Sequence, residues 1–299
     1  LLSGIVFWQR SPAGARWAVG TEQGGTNAMR VRNALLAALA ATAVLASTAH
    51  AAPPIPSSMS ALGDSITRGF NACGWYTDCT SKSWSAGDDA GVNSHYLRIK
   101  AKNAAIAGFN YNDAKTGAKM ADLNGQATTA VGRGVQYVTI LMGANDACTS
   151  TEAAMTPVAT YRAQLDTALA TLKNGLPNAA VFLASVPDVK RLWFIGKDNS
   201  SARSAWNGFG ICQSMLANPQ STAAADVARR DRVRQRVVDF NTQLAQACTA
   251  YGANCHFDGN AVFGYQFVLS QVSTWDYFHP NAAGQQILAS ITYPAGFNW

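Results

Sequence analysis

After residue 52 the chain carries short apolar runs at 59–62, 104–111, 135–142, 180–186 and 254–258. Their lengths suit strands buried on both faces. Between several of them the apolar positions instead fall three or four apart. Segment 158–172 puts Tyr161, Leu165, Ala168, Leu169 and Leu172 on one stripe, with Pro157 before it and Gly175 and Pro177 beyond it. That spacing and punctuation predict a helix. A second stripe, Val233, Val237, Phe240, Leu244 and Cys248, predicts a long helix over 223–251. Strands alternating with helices imply an α/β fold, a sandwich built around a mostly parallel sheet. Ligands in such folds bind beyond the carboxyl ends of the strands.

The polar pattern changes ahead of these runs. Residues 29–51 open on Met29-Arg30-Val31-Arg32-Asn33, continue through an apolar stretch at 34–46 and end on Ala49-His50-Ala51. A basic start, an apolar centre and an A-x-A site predict a signal peptide cleaved near Ala51, hence a secreted, extracellular protein. The stretch is shorter than the roughly 20 apolar residues that a membrane-spanning helix needs. Residues 1–28 precede this methionine-initiated leader and are expected to be a mis-assigned upstream extension. Residues 52–299, with no internal repeat or linker, are expected to form a single domain.

Of 299 residues 48% are hydrophobic and 13% charged, a composition that excludes a disordered chain. Residues 1–51 hold four arginines against one glutamate, so the net charge of +6 falls to +3 over the rest. So small an excess argues against a nucleic-acid partner. There is no H-E-x-x-H, and Glu152 is the body's single glutamate, which argues against a zinc protease. All six cysteines lie in the body, and an even count in an exported chain favours disulfides. Fifteen pairings are open. Cys73 with Cys79 and Cys248 with Cys255 are near neighbours that close small loops, which leaves Cys148 with Cys212.

Candidate chemistry sits at the strand ends. Leu62-Gly63-Asp64-Ser65 follows the first run, which sets Ser65 where a strand is expected to turn into a helix; as a plain turn, Asp64 or Ser65 would cap that helix. There is no G-x-S-x-G, so the nucleophile elbow of the α/β-hydrolases is missing. A serine nucleophile needs a base. His279 stands in Asp276-Tyr277-Phe278-His279-Pro280, with an acid three residues before it to hold a ring nitrogen. The plainer reading of this segment is a helix start with Pro280 in first position. His95 and His256 lack an acidic neighbour and read as surface or core residues. Gly117, after the second run, and Asn145, in Gly143-Ala144-Asn145-Asp146 after the third, are candidate donors to an oxyanion; each also suits an ordinary turn or cap.

In order and spacing, Gly-Asp-Ser, an isolated Gly, Gly-x-Asn-Asp and Asp-x-x-His-Pro together resemble the SGNH (GDSL) hydrolase superfamily over about residues 58–293. The segments Cys73-Gly74-Trp75-Tyr76 and Lys82-Ser83-Trp84-Ser85-Ala86-Gly87 are similar to exported actinobacterial lipases and esterases and to the phospholipase B-like branch. The resemblance implies a flavodoxin-like three-layer α/β/α sandwich with a five-stranded sheet. It implies hydrolysis of a lipid or small acyl ester through an acyl-serine, with Ser65 as nucleophile, His279 as base and acid, and Asp276 orienting His279. The Ser65 and Gly117 N–H groups and the Asn145 side chain would form the oxyanion hole. No metal or organic cofactor is required, and a monomer with transient contact with lipid surfaces is expected.

Two other readings stay open at this level. A carbohydrate O-acetyl esterase would use the same residues, and an exported binding module would keep the fold without turnover. Arg229-Arg230-Asp231-Arg232-Val233-Arg234-Gln235-Arg236 is a tempting head-group site. On a helix these arginines spread over more than one face, and Asp226 and Asp239 stand at pairing distance from Arg230 and Arg236, so a solvated, partly self-paired surface is expected. Trp75, Trp84, Trp193, Trp206 and Trp275 read as core or as walls of the crevice.

Overall fold

A computed structural model of the chain describes residues 53–299; the expected upstream extension and signal peptide lie outside the described residues. Five strands, β1 (Met59–Gly63), β2 (Asn110–Asn112), β3 (Tyr137–Leu141), β4 (Ala180–Leu183) and β5 (Cys255–Phe257), form one sheet among the described residues. All pairings are parallel and the order is β2-β1-β3-β4-β5. Every residue of β1, β3 and β4 is buried, because helices cover both faces of the sheet. On one face Leu123–Arg133 packs on Val158–Gly175, which packs on Ala224–Tyr251. On the other lie His95–Lys100 and Ala282–Thr292, joined through His95. This is the flavodoxin-like α/β sandwich.

Both expected helical stripes are buried. Tyr161, Leu165, Ala168, Leu169 and Leu172 face inward, and Tyr161 stacks on Phe240 of the long helix at 4.0 Å between ring centroids. In four of the five strand runs a strand occupies more than half of the positions. The run at 104–111 differs. Asn103 Oδ1 accepts the Ala105 N–H and starts a 3-10 turn, Ala104–Ile106, and Gly108 at φ +81° turns the chain again before β2 begins at Asn110. Local capping and a left-handed glycine override the apolar pattern there.

His95 is a core residue. Its ring nitrogens bond Tyr137 Oη at 2.9 Å and Thr292 Oγ1 at 2.8 Å, and Trp84 meets its ring edge-on. Burial pushes its pKa down to about 3, so the imidazole stays neutral. The arginine run is also structural, and less solvated than expected. Arg230 is buried against the Trp193 ring, 4.5 Å from its centroid, and donates to Ser221 O. Arg229 pairs with Asp226 and donates to the Ser214 and Ala217 carbonyls, while Arg232 pairs with Glu152 and Arg234 with Asp188. These arginines fasten loops to the long helix.

Candidate active site

Because β2 lies on one side of β1 and β3, β4 and β5 lie on the other, the order in which strands are added to the sheet reverses at β1. The loops leaving β1, β2 and β3 therefore gather at one end of the sheet. Gly63 closes β1 at φ +147°, and a Cβ there would strike Leu141 O at 2.4 Å and Thr67 Oγ1 at 2.5 Å. Only glycine lets the chain leave β1 so close to β3. Turns follow, not the expected helix. Asp64 Oδ1 accepts the Ile66 N–H at 2.9 Å and Ser65 O accepts the Phe70 N–H at 2.9 Å.

Ser65 Oγ lies 2.8 Å from His279 Nε2, and His279 Nδ1 lies 2.5 Å from Asp276 Oδ2. A carboxylate only accepts, so Nδ1 carries the ring proton and Nε2 accepts from the serine hydroxyl. Asp276 is almost fully buried, and it is satisfied by four donors. Besides His279 Nδ1, these are the Phe278 and His279 N–H groups on Oδ1 and Asn71 Nδ2 on Oδ2, at 2.9, 3.1 and 2.7 Å. The same bonds hold Tyr277 at φ +51°, an uncommon conformation for a bulky residue, and Trp206 Nε1 fixes its carbonyl at 2.9 Å. The helix begins two residues later than that reading expected, at Ala282, with Asn281 as the N-cap accepting the Gly284 N–H.

Gly117 sits at φ +81° on an exposed loop after β2, with nothing within 4 Å of a would-be Cβ. Asn145 lies in a single helical turn, Ala144–Ala147, directly after β3. Its Nδ2 donates to Ala118 O at 2.9 Å, which leaves the second amide hydrogen free. Asp146 clamps the same loop, taking the Met120 N–H at 2.9 Å and the Thr156 hydroxyl at 2.7 Å. Neither the Ser65 nor the Gly117 N–H has a hydrogen-bond acceptor among the described residues. The Ser65 and Gly117 N–H groups are thus unused, and the Asn145 amide is fixed to the loop that follows Gly117.

The sequence reading gave no part in the site to three residues. Asn71, left-handed at φ +66°, reaches Asp276 across 205 positions; no local pattern signals it. Phe70 packs against the His279 ring at 4.9 Å between centroids. Asp64, read as a turn residue, is fully buried with Oδ2 unpartnered, and burial pushes its carboxyl up to about 7 despite the Ile66 N–H and the nearby His279. Between pH 4 and pH 7 the unfolded chain gives up this proton and the folded chain keeps it, so stability falls as pH rises through that window. The expected consequence is that Asp64→Asn loses about 3 kcal/mol less stability than the parent between pH 5 and pH 8. Urea unfolding at both pH values measures it, and parallel profiles for the two proteins would refute it.

The six cysteines form Cys73–Cys79, Cys148–Cys212 and Cys248–Cys255. A mostly apolar pocket is walled by Ile66, Ala144, Val189, Leu192, Val272 and Phe278 among others, and none of Ser65, Asn145 and His279 lines it. Three of the wall residues adjoin Ser65, Asn145 and His279 in sequence.

The family model for GDSL-like lipase/acylhydrolases matches residues 59–291. Among solved structures, the extracellular lipase of Streptomyces rimosus is 21% identical, with 80% of this chain and 97% of that one covered at a TM-score of 0.46. A catalytic mutant of Axe2, an acetylxylan esterase from Geobacillus stearothermophilus, is 15% identical over 80% and 93%, at 0.47. The psychrotrophic esterase EstA from a Pseudoalteromonas species is 15% identical over 80% and 96%, at 0.44. A comparison with curated proteins gives no match.

Proposed function

Because the chain belongs to the GDSL-like lipase/acylhydrolase family of hydrolases, we propose that it is a secreted serine ester hydrolase working through an acyl-Ser65 intermediate. The observation that carries this reading is the hydrogen-bond chain from Asp276 through His279 to Ser65. As Ser65 Oγ attacks the ester carbonyl carbon, its proton passes to His279 Nε2. The new imidazolium stays paired with buried Asp276. The oxygen that gains the charge meets the Ser65 and Gly117 N–H groups and the Asn145 amide. Collapse of the tetrahedral species breaks the bond to the alkoxy oxygen, which leaves with the proton from Nε2. A water molecule then attacks the acyl-serine, giving its proton to Nε2, and collapse releases the carboxylic acid and returns the proton to Ser65. Three disulfides suit an oxidising compartment and support export.

An acyl chain that reached the apolar pocket, whose walls adjoin Ser65, Asn145 and His279 in sequence, would make an aliphatic ester a better substrate than an acetate. Each methylene buried there is worth about 0.8 kcal/mol, or roughly fourfold in kcat/KM. The test is the protein of residues 52–299 on p-nitrophenyl esters of increasing chain length, on phospholipids and on acetylated xylan. We expect kcat/KM to climb from acetate to medium chains. A preference for acetate together with deacetylation of xylan would instead support the carbohydrate esterase, and no turnover on any ester would sink the proposal.

A further inference from the structure

Four large aromatic side chains stand out of the surface on the His279 side of the site. Trp75 is 69% exposed, Phe209 63%, Tyr76 56% and Trp275 46%. Tyr76 stacks on Phe209 at 6.1 Å and meets Phe70 edge-on at 5.0 Å, and Phe70 in turn lies against His279. Trp275 directly precedes Asp276 and donates its indole N–H to Gly74 O at 2.7 Å. Residues 73–77 are all exposed, and the Cys73–Cys79 cross-link holds them as one short loop. Aromatic rings grouped in this way outside the core mark a surface that meets another phase or partner.

The polar groups nearby decide between partners. Asp78, the acid of this loop, is taken up by Arg68 Nε and Thr116 Oγ1, and the Trp275 indole N–H is already spent. Asp78 is the only charged residue of the loop, so with its carboxylate paired no free acid there opposes an anionic surface. Thr116 also ties the aromatic loop to the Gly117 loop, where exposed Lys115 and Lys119 make no ion pair among the described residues. Amphipathic rings seat at the boundary between lipid and water, and unpaired lysines add attraction to anionic head groups.

We propose that Trp75, Tyr76, Phe209 and Trp275, with Lys115 and Lys119, form a docking face that sets the mouth of the site on the surface of an anionic lipid aggregate. The proposal rests on the ester-hydrolase reading only for its use, since docking itself requires no turnover. The two are therefore tested apart. Binding is measured by sedimentation of Ser65→Ala protein with vesicles of phosphatidylcholine, alone or mixed with phosphatidylglycerol. The mixed vesicles should bind more tightly, and added salt should reduce the difference. Trp75→Ser and Phe209→Ser, each made in that background, should weaken binding about tenfold. In the background with Ser65 intact, the same two substitutions should leave turnover of a soluble p-nitrophenyl ester unchanged, which also reports that the fold is kept. Absence of vesicle binding, equal binding to both vesicles, or binding that survives both substitutions overturns the proposal. So does retention on insoluble xylan that Trp75→Ser abolishes while vesicles are ignored.

Discussion

Ser65→Ala and His279→Ala are each expected to lower ester turnover by roughly 10⁴–10⁶, and the double variant by no more than either alone. In the proposed mechanism Ser65 supplies the oxygen that forms the acyl bond, and without His279 its hydroxyl would keep the proton at the moment of attack. The two groups act as one unit, so the second loss adds little. Neither substitution removes a bond that shapes the turn: the Phe70 N–H is held by the Ser65 carbonyl and the Ile66 N–H by the Asp64 carboxyl group. The fold should therefore persist by near-ultraviolet circular dichroism. Asn145→Ala should cost less, roughly 10²–10³, because on the proposed assignment two backbone donors would still face the oxyanion. Turnover in Ser65→Ala within tenfold of the parent would mean that another group is the nucleophile.

The legible part of this molecule is the part written in local periodicity. Runs such as 135–142 and the stripe from Tyr161 to Leu172 specify a buried strand and a buried helix face without help from distant residues. At 104–111 an apolar run misled, since Asn103 and Gly108 reshape it by capping and a positive φ. The candidate site was legible as four short segments in a fixed order, and in the folded chain Ser65, His279 and Asp276 stand within hydrogen-bond reach. What escaped were groups defined by burial and by long-range partners. Asp64 looks like a turn residue until the sheet closes over it. Asn71 has no pattern until the loop from Asp276 arrives. The five arginines at 229–236 suggested charge, and their work is to hydrogen-bond carbonyls and pair with acids of other segments.

Removal of the Cys148–Cys212 bond is the second large effect expected, and it should fall on stability. The two residues are 64 apart, so the bond closes a loop whose chain entropy is worth about 4 kcal/mol, or about 10 °C in Tm for a domain of this size. The six- and seven-residue separations of the other two pairs close far shorter loops and should matter less. Cys148 ends the helical turn that bears Asn145, which suggests at first that turnover would collapse as well. Other bonds hold that turn. Ser214 Oγ donates to Ala147 O at 2.7 Å and its N–H to Thr149 O at 2.9 Å, while Asn145 and Asp146 remain fastened to the Gly117 loop. Cys148→Ala with Cys212→Ala should therefore show the largest fall in Tm of the three paired removals, with turnover at 25 °C kept within about tenfold. Differential scanning calorimetry and ester kinetics on the three double variants decide it: a larger fall in Tm for either short pair would contradict the loop-entropy argument, and a hundredfold loss of turnover would mean the cross-link itself positions the Asn145 amide.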